Sequence, residues 1–502
     1  MRKSFIFLFL VGVSIFLCFS SSLNCAENNA QPPSQQISNF SHLNFLNELH
    51  TFNNKEAFVT MIYCDFPYTK KAEARGEGVA CIDDTARATV LYLRHYEYYK
   101  DDYSLDMARK GLAFVMWMQT DDGEFYNFIQ SDLSKNRTGV TSYKSFSWWA
   151  ARGIWALGNG YKVFSQVDKP FALEIEKSIQ KSLNRFNVDL KNYGTYKTAK
   201  IGMMDVSLPK WLMGDSTDAS ATALLGLVDY YSATNSTDAA NIITKLCDGI
   251  AKCQFGSFAE YPFCAYVDNI NIPAWWHAWG AEPSYAMVKA GIVFKRKDWI
   301  ESAKKEVDSM FMQIVILGPA TEIKDGKVSM YPQIAYGVSP VVLAMLELYK
   351  ATGDEKYARI AGLEASWFMG NNVIKLDMYD PKTGITYDGI DAPGRDFGYH
   401  QVNRNSGGES TIEALLALTE IEREPLVMKY LYYKCIDAPT MLRDKDNNIK
   451  WIQQLYVGPD GNEVVLEKDF ENQKIDLSLN GDSLMKGEQT NIEKFYQLEY
   501  KK

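Results

Sequence analysis

The stretch that decides the fold runs from Cys81 to Tyr99 and reads CIDDTARATVLYLRHYEYY. Its apolar residues recur three and four positions apart, which predicts an amphipathic helix. Two carboxylates, Asp83 and Asp84, stand in its first turn. Acidic residues at that position cap backbone N–H groups and interact favourably with the helix dipole, but paired carboxylates also serve acid–base catalysis. Whether the two carboxylates cap the helix or take part in catalysis depends on what the rest of the chain places beside them.

Helices of the same small-residue, apolar type recur along the chain at intervals of roughly 60 to 70 residues, as repeated supersecondary units do. Each is followed by a helix with one charged face, which is typical of an outer, solvent-facing partner. We predict an all-α main domain in which six helical hairpins close into an (α/α)6 toroid. The inner helices are predicted to begin near Asp84, Ser147, Thr217, His277, Val338 and Glu409.

The composition changes at both ends of this helical region, which we expect to span residues 41–434. Residues 1–26 combine Arg2 and Lys3 with a short apolar run, and are predicted to be a signal peptide. Residues 27–40 are polar and contain prolines, so we expect a disordered lead-in. Residues 435–502 contain short alternating stretches separated by turn residues, and are predicted to form a small β-rich C-terminal appendage.

The predicted signal peptide indicates a secreted or periplasmic protein with no stable membrane insertion after cleavage. An uncleaved anchor, or lipid attachment at Cys25, remains the alternative, although Asn24 stands where a small residue normally precedes a lipidated cysteine. Six cysteines follow the signal without CxxC spacing, which argues against a structural zinc site. Cys247, Cys253 and Cys264 are the local candidates for disulfide formation. The sequence does not indicate an oligomeric state.

Charge and aromatic content restrict the class of ligand. The 502-residue chain has a formal net charge of -9, which argues against a nucleic-acid partner. Aromatic residues make up 13% of the chain, and such rings fill cores or line clefts in which sugar rings stack. The sequence contains no HExxH, Walker or GxSxG motif. We therefore expect a carbohydrate substrate, with no metal and no cofactor.

Closure of the helical ring would bring a third carboxylate close to Asp83 and Asp84. Glu409, in NRNSGGESTIEALLAL, opens the last inner helix, and the first and last inner helices of a closed ring are neighbours. Cleavage of a glycosidic bond needs one acid and one base on opposite sides of the bond. Asp84 or Asp83, together with Glu409, are the candidates for these two groups. Helix capping remains the alternative for each carboxylate taken alone.

Other residues before or at the starts of the inner helices are candidates for sugar binding. Aromatic faces suit stacking on sugars, and amide, hydroxyl and charged groups suit hydrogen bonds to sugar hydroxyls. Each of these residue types is also found in structural roles, in which a buried polar group needs a partner. Glu282 is in addition a reserve acid. The candidates are Trp148, Trp149, Trp211, Asp215, Trp276, His277, Trp279, Glu282, Tyr336, Arg404 and Asn405.

With these motifs in place, the region 41–434 resembles the six-hairpin glycosidase superfamily. CIDD and GGES occupy the places of the Asp-rich loop and the C-terminal Glu of an inverting cellulase family in it, and WFMGNN (Trp367 to Asn372) resembles that family's helix-ending segment. That family has a histidine-rich loop before its final acid, where this chain has only His400. The amino-acid sequences of these motifs, together with MYDPKTGITYDGID (Met378 to Asp391), also resemble a helical domain found fused to bacterial glycosyltransferases. The resemblance implies hydrolysis with inversion of configuration, with Asp84, or Asp83 as its alternate, as the base and Glu409 as the acid.

Two further functions stay open on the sequence. A polysaccharide lyase acting on a uronate-containing glycan would need a Tyr or His base and a group that neutralises the uronate, for which His277, Tyr336 and Arg404 are available. A non-catalytic glycan-binding protein would keep the tryptophans and tolerate loss of the carboxylates.

Overall fold

The computed structural model describes residues 36–393, 400–481 and 489–491. Helices dominate it as far as residue 430, and strands follow from there. In chain order the α-helices are α1 Ser41–Leu46, α2 Ile82–Tyr99, α3 Asp102–Met118, α4 Trp148–Val167, α5 Lys169–Asp189, α6 Thr217–Thr234, α7 Thr237–Ala251, α8 Glu282–Phe294, α9 Lys297–Glu306, α10 Met312–Leu317, α11 Ala335–Thr352, α12 Glu355–Ala365, α13 Gly408–Ile421 and α14 Pro425–Tyr430. A π-helical turn, Val307–Phe311, joins α9 to α10.

Six of these helices form a closed inner ring. Neighbours pack in the order α2, α4, α6, α8, α11 and α13, and α13 packs against α2. The outer partners α3, α5, α7, α9 with α10, α12 and α14 each follow an inner helix along the chain. This arrangement confirms the predicted all-α main domain built as an (α/α)6 toroid of six helical hairpins.

Small residues let the inner helices approach one another closely. In α6 nearly every residue from Thr217 to Tyr230 is buried. A β-carbon at Gly226 would lie 2.2 Å from the carbonyl oxygen of Ile154 on α4, and one at Gly158 would lie 1.9 Å from the carbonyl oxygen of Gly226. The backbones of α4 and α6 therefore touch at these two glycines, where no larger residue would fit.

Most inner helices begin within a few residues of the predicted positions. The fourth is the exception, because it begins at Glu282 and not near His277. The segment Trp275–His277 is instead a short strand that pairs with Glu322–Lys324. Because its backbone pairs with this later segment of the chain, Trp275–His277 forms a strand and not the start of a helix.

Short strands occupy the loops of the ring, where the sequence pattern showed almost none. The strands are β1 Asn47–Phe52, β2 Lys55–Thr60, β3 Tyr63–Asp65, β4 Lys70–Ala72, β5 Ala80–Cys81, β6 Phe128–Ile129, β7 Tyr196–Ile201, β8 Met204–Pro209, β9 Trp275–His277, β10 Glu322–Lys324, β11 Lys327–Ser329, β12 Gly389–Ile390, β13 Val402–Asn403, β14 Lys434–Cys435, β15 Thr440–Arg443, β16 Ile449–Val457, β17 Glu463–Asp469, β18 Lys474–Leu479 and β19 Gln489–Asn491. The strands from β14 onwards form one antiparallel sheet in the order β18-β17-β16-β15-β19, with β14 also paired to β16. This sheet is the small C-terminal β part that the sequence predicted.

The lead-in to the ring is more ordered than predicted in its last residues. Ile37 is buried, and the Glu422 carboxylate accepts hydrogen bonds from the backbone N–H groups of Ile37 and Ser38, both at 3.0 Å. The prediction of disorder is therefore wrong for residues 36–40, because a buried carboxylate binds this segment. Residues 27–35 and the predicted signal peptide, residues 1–26, lie outside the described residues.

Two further expectations concern cysteines and membranes. Cys247, Cys253 and Cys264, the candidates for disulfide formation, are buried free thiols, as are Cys64 and Cys81. In the part of the chain that the structure describes, no helix is both long enough and apolar enough to cross a membrane.

Candidate active site

The N-terminal ends of α2, α11 and α13 converge on a cavity of about 460 Å³ at one mouth of the ring. Carboxylates and aromatic rings make up much of its wall. Its carboxylates come from Asp83, Asp84, Asp388, Asp391 and Glu409, and its rings come from Tyr63, Phe128 and Tyr336. Tyr63 is 45% exposed and offers a ring face, whereas Phe128 and Tyr336 are buried.

The strand and the cap before α2 position its two carboxylates. The pairing of β5 with β6 places Cys81 at the N-cap, where its thiol sulfur accepts the backbone N–H of Asp84 at 3.4 Å. Asp83 and Asp84 then lie in the first helical turn, as the sequence predicted. Capping of the helix falls to the cysteine, so both carboxylates are left for other contacts.

Arg87, one turn further along α2, joins the first inner helix to the last. It is 1% exposed, and its Nη2 lies 2.8 Å from Asp84 Oδ1 and 3.6 Å from Glu409 Oε2. Its Nη1 pairs with Glu413, also on α13. Since both oxygens contact the same nitrogen, Asp84 Oδ1 and Glu409 Oε2 lie at most 6.4 Å apart. The ring therefore brings together the two carboxylates that the sequence predicted to share a site.

Glu409 lines the cavity, and half of its side-chain surface is exposed. Desolvation raises the pKa of Glu409 to about 7, with a further upward contribution from Asp84 and an opposing one from Arg87. A carboxyl group with this pKa holds a proton for a large fraction of the time near neutral pH, as a general acid must.

Asp84 and Asp83 differ in their access to the cavity. The Asp84 side chain is 4% exposed, and burial raises its pKa to about 6. One of its oxygens contacts Arg87, and the other faces Gly408, where a β-carbon would lie 2.9 Å away. The Asp83 side chain is 33% exposed, and its Oδ1 accepts a hydrogen bond from Arg152 Nε at 3.1 Å. Among the residues that the structure describes, Asp83 Oδ2 has no hydrogen-bond partner, whereas Oδ1 is bonded to Arg152.

Arg152 extends the network behind the cavity wall. Its Nη1 donates to Glu282 Oε1 at 2.9 Å, and the hydroxyl of Tyr336 donates to the same oxygen at 3.1 Å. Desolvation raises the pKa of Glu282 well above its usual range. Glu282 is buried and does not line the cavity, so it supports Arg152 and Tyr336 and is not placed to act on a bound molecule.

Asp388 also lines the cavity and hydrogen-bonds to the start of α13. Its Oδ1 accepts hydrogen bonds from the backbone N–H of Gly407 at 3.0 Å and from the hydroxyl of Ser410 at 2.7 Å. These two residues flank the Gly408–Glu409 pair. Asp388 therefore fixes the start of α13 and with it the direction of the Glu409 side chain.

Several predicted sugar-binding residues lie outside the cavity. Trp211 is buried between Tyr193 and Tyr196, and its indole donates to the backbone of Lys245. Trp149 is likewise buried and donates to the backbone of Phe125. These two tryptophans are core residues, because Trp149, in the first turn of α4, and Trp211, in the loop before α6, both pack against neighbouring tyrosines.

The tryptophan-rich loop before α8 also packs into the protein. Trp276 is 5% exposed, and His277 stacks on Trp279 with ring centroids 4.4 Å apart. His277 donates its backbone N–H to Asp268 at 2.6 Å, and burial lowers its pKa to about 4. A histidine that stays neutral and does not line the cavity is not placed for acid–base catalysis. The structure does not bring the predicted sugar-binding residues of this loop to the cavity.

The remaining candidates are near the mouth without lining the cavity. Trp148 is 39% exposed. Asp215 accepts from Asn271, and Asn405 accepts the backbone N–H of Phe66. Arg404 is exposed, and its carbonyl oxygen accepts from Tyr68. Of all the candidates, the structure brings together Asp83, Asp84, Glu409 and Tyr336, with Glu282 directly behind them.

Sequence reasoning missed Arg87, Arg152, Asp388 and Tyr63. Arg87 had a local signal, because it follows Asp84 by three residues and therefore lies on the same helix face. Asp388 stands within the quoted motif MYDPKTGITYDGID, but nothing in that motif shows which of its three aspartates enter the site. Arg152 and Tyr63 had no signal, because their approach to the site depends on ring closure.

No protein-family model matches the chain, and no curated protein matches it in sequence. Solved structures do match in fold. A sugar epimerase from a ruminal bacterium is similar with a TM-score of 0.51 and 12% identity, covering 77% of this chain and 97% of that one. A cellobiose 2-epimerase from Bacillus thermoamylovorans B4167 has a TM-score of 0.50 and 14% identity, over 72% of this chain and 91% of that one. A D-mannose isomerase has a TM-score of 0.53 and 13% identity, over the same shares of 72% and 91%. At these identities the likeness establishes the six-hairpin toroid fold alone.

Proposed function

We propose that this protein is a carbohydrate-active enzyme, and specifically a glycoside hydrolase that cleaves a poly- or oligosaccharide with inversion. One observation carries the proposal. The first and the last inner helix place Asp83, Asp84 and Glu409 around a single buried guanidinium, that of Arg87, in a cavity with aromatic walls. An acid and a base held on one rigid frame are what glycosidic cleavage requires.

In this proposal Glu409 is the general acid. Its raised pKa keeps it protonated at the pH at which a free carboxylic acid would be ionised. It donates this proton to the glycosidic oxygen as the bond between that oxygen and the anomeric carbon breaks. Asp388 acts through Glu409, because its hydrogen bonds fix the backbone on either side of it.

We assign the base to Asp83, which the sequence offered only as the alternate to Asp84. Asp83 lines the cavity, and its side chain is 33% exposed. It accepts a proton from a water molecule, whose oxygen then bonds to the anomeric carbon. Asp84 is nearly sealed, with one oxygen on Arg87 and the other against Gly408.

A sugar 2-epimerase or isomerase is the second candidate. The similar structures with TM-scores of 0.50 or more are described as sugar epimerases and as a mannose isomerase. The pKa of Glu409, near 7, would also suit reversible proton transfer next to a carbonyl group. The lyase is less well supported, since of His277, Tyr336 and Arg404 only Tyr336 lines the cavity among the described residues.

The test is product analysis by proton NMR in D2O with a panel of neutral oligosaccharides and free aldoses, for the wild type and for Glu409→Gln. A hydrolase releases a new reducing end whose first anomeric signal has the configuration opposite to that of the bond cleaved. An epimerase or isomerase leaves the chain length unchanged and exchanges the C2 proton for deuterium. Unchanged turnover in Glu409→Gln would remove Glu409 from the mechanism, and a glycan-binding protein would bind saccharides in both forms without turnover.

We also propose that the protein acts outside the cytoplasm, on the strength of the N-terminal sequence. Mass spectrometry of the protein recovered from its native cells tests this. A mature N-terminus close to residue 27 supports export, and an intact N-terminus on cytosolic protein contradicts it.

A further inference from the structure

A second cavity, of about 250 Å³, lies at the opposite end of the ring from the candidate active site. The C-terminal halves of all six inner helices contribute to its wall. None of the residues proposed for catalysis lines it. Its lining is mostly charged, which is unusual for a space enclosed by the inner helices of a toroid.

Three cations in this cavity surround one carboxylate. Glu420 on α13 lies 3.8 Å from Arg94 Nη1, 3.5 Å from Lys350 Nζ and 3.4 Å from Arg423 Nη1. Lys350 lies a further 3.6 Å from Glu347. Direct charge-assisted hydrogen bonds are usually about 2.7 to 2.9 Å long. Arg423 hydrogen-bonds both oxygens of Glu420 at 3.4 Å. The distances from Arg94 and Lys350 to Glu420 exceed the length of a direct charge-assisted hydrogen bond.

The other charged residues of the cavity are paired with one another. Lys162 lies 2.7 Å from Glu97, and Lys289 lies 2.8 Å from Asp229. These two pairs cancel in charge. What remains is three cations, Arg94, Lys350 and Arg423, against the two carboxylates of Glu420 and Glu347. The cavity thus carries one excess positive charge.

A buried donor points to where a ligand would bind. Arg94 is 8% exposed and donates from Nη2 to the hydroxyl of Tyr285 at 2.7 Å, but its Nη1 has no hydrogen-bond partner among the described residues. A buried donor left without a partner costs free energy, and for a charged group the cost is larger. The field of these cations is also strong enough to act on Glu420. Burial alone would raise the pKa of Glu420, yet Arg94, Lys350 and Arg423 lower it to about 2.

We propose that this cavity binds one small monovalent anion of the size of chloride, between Arg94 Nη1 and Lys350 Nζ. The anion supplies the missing acceptor for Arg94 and cancels the single excess charge. Lys350 and Arg423 are partly exposed, with side-chain exposures of 41% and 37%, and give the ion a route from solvent. Bound there, it links α2 to α11 beside α13, at the point where the ring closes.

The affinity should be modest, for a reason that the fold itself provides. The six inner helices present the negative ends of their dipoles at this end of the ring, which opposes an anion. Those dipoles account for cations at the helix ends, but not for a buried guanidinium nitrogen without a partner. Water alone in the cavity is the competing explanation, and it predicts no preference among anions.

The test is the 35Cl NMR line width of dilute chloride titrated with the full-length protein, at constant ionic strength held by methanesulfonate. We expect excess broadening with wild type that bromide competes away, and loss of most of it in Lys350→Gln. Lys169→Gln, which makes the same change at an exposed site outside the cavity, serves as the matched control and should broaden the line as wild type does. Thermal unfolding gives a second measurement, since replacing methanesulfonate by chloride should raise the Tm of wild type by about 2 °C and leave that of Lys350→Gln unchanged.

Two results would overturn the proposal. One is the absence of excess broadening with folded wild-type protein. The other is broadening of equal size in wild type, Lys350→Gln and a second variant, Arg94→Lys, with the near-native melting temperature of each variant establishing that it is folded. Either result would leave water as the occupant of the cavity.

Discussion

The α-carbon of Gly408 packs against the carboxylate of Asp84, so closely that a β-carbon at Gly408 would lie 2.9 Å from Asp84 Oδ2. This contact joins the first residues of the first inner helix to those of the last. It sets the distance between the two halves of the candidate active site. The glycine is therefore part of the geometry that places Glu409, its neighbour in sequence.

We expect Gly408→Ala to lower kcat by at least about tenfold and to destabilise the fold by about 1 to 3 kcal/mol, because a buried carboxylate has to move away from the new methyl group. Steady-state kinetics and urea unfolding measure the two effects. Gly337→Ala, at the start of α11, is the control. Its β-carbon would meet only the Ala278 side chain at 3.2 Å, so its effects should be smaller. Equal effects for the two variants would contradict the role given to Gly408.

Substitution of Asp83 should affect catalysis, whereas substitution of Asp84 should mainly affect stability. Asp83→Asn is expected to lower kcat by about 100-fold or more, as loss of a general base does, with little change in the free energy of unfolding. Asp84→Asn is expected to lower that free energy by about 3 kcal/mol, because it removes a buried partner of Arg87. The opposite result is that Asp84→Asn abolishes turnover in a stable protein while Asp83→Asn stays active. That result would identify Asp84 as the base.

The pH dependence of kcat/KM should have an alkaline limb near pH 7. Glu409 must be protonated to act as the acid, and burial raises its pKa to about 7. Activity should therefore be retained below this pH and fall as the pH rises through it. Asp388→Asn should shift this limb as well as lower kcat, because Asp388 positions the Glu409 backbone. A profile flat between pH 6 and about pH 9 would argue against an acid of this kind.

His277 should not contribute to the pH profile. Its pKa is lowered to about 4 by burial, so it is neutral throughout the range in which Glu409 titrates. We expect His277→Gln to reduce stability, since the ring stacks on Trp279, and to leave the position of the alkaline limb unchanged. A shift of that limb in the folded variant would place His277 in the catalytic mechanism after all.

A carboxyl group in the outer layer makes stability depend on pH. Burial raises the pKa of Glu364, on α12, to about 8, from an ordinary value of 4.5 in the unfolded chain. Between these two values the folded state binds more protons than the unfolded state, so the free energy of unfolding falls as the pH rises from about 4.5 to 8. Glu364→Gln should remove a few kcal/mol of this decline, measured by urea unfolding at several pH values. Glu355→Gln, on the exposed face of the same helix, should leave it unchanged.

Much of the fold could be predicted from local pattern. The period of the apolar residues and the recurrence of similar helices indicate a ring of six hairpins, because each hairpin can bury its apolar face only against its neighbours. The helix starts at Asp84, Thr217 and Glu409 were likewise predictable within a few residues, since capping and turn residues mark them. The short strands that support the site were not, because two- and three-residue strands such as Trp275–His277 depend on distant pairing.

The sequence by itself determined the ring, the acidic starts of its first and last inner helices, and hence which carboxylates could meet. Only the tertiary structure decided which of them are accessible, since Asp84 is sealed by Gly408 and Arg87 while Asp83 remains open. The same holds for the aromatic residues, of which Trp211 and His277 turned inwards while Tyr63 faces the cavity. The physical reason is that periodicity specifies which face of a helix is buried, but the burial of a loop side chain depends on what the rest of the chain packs against it.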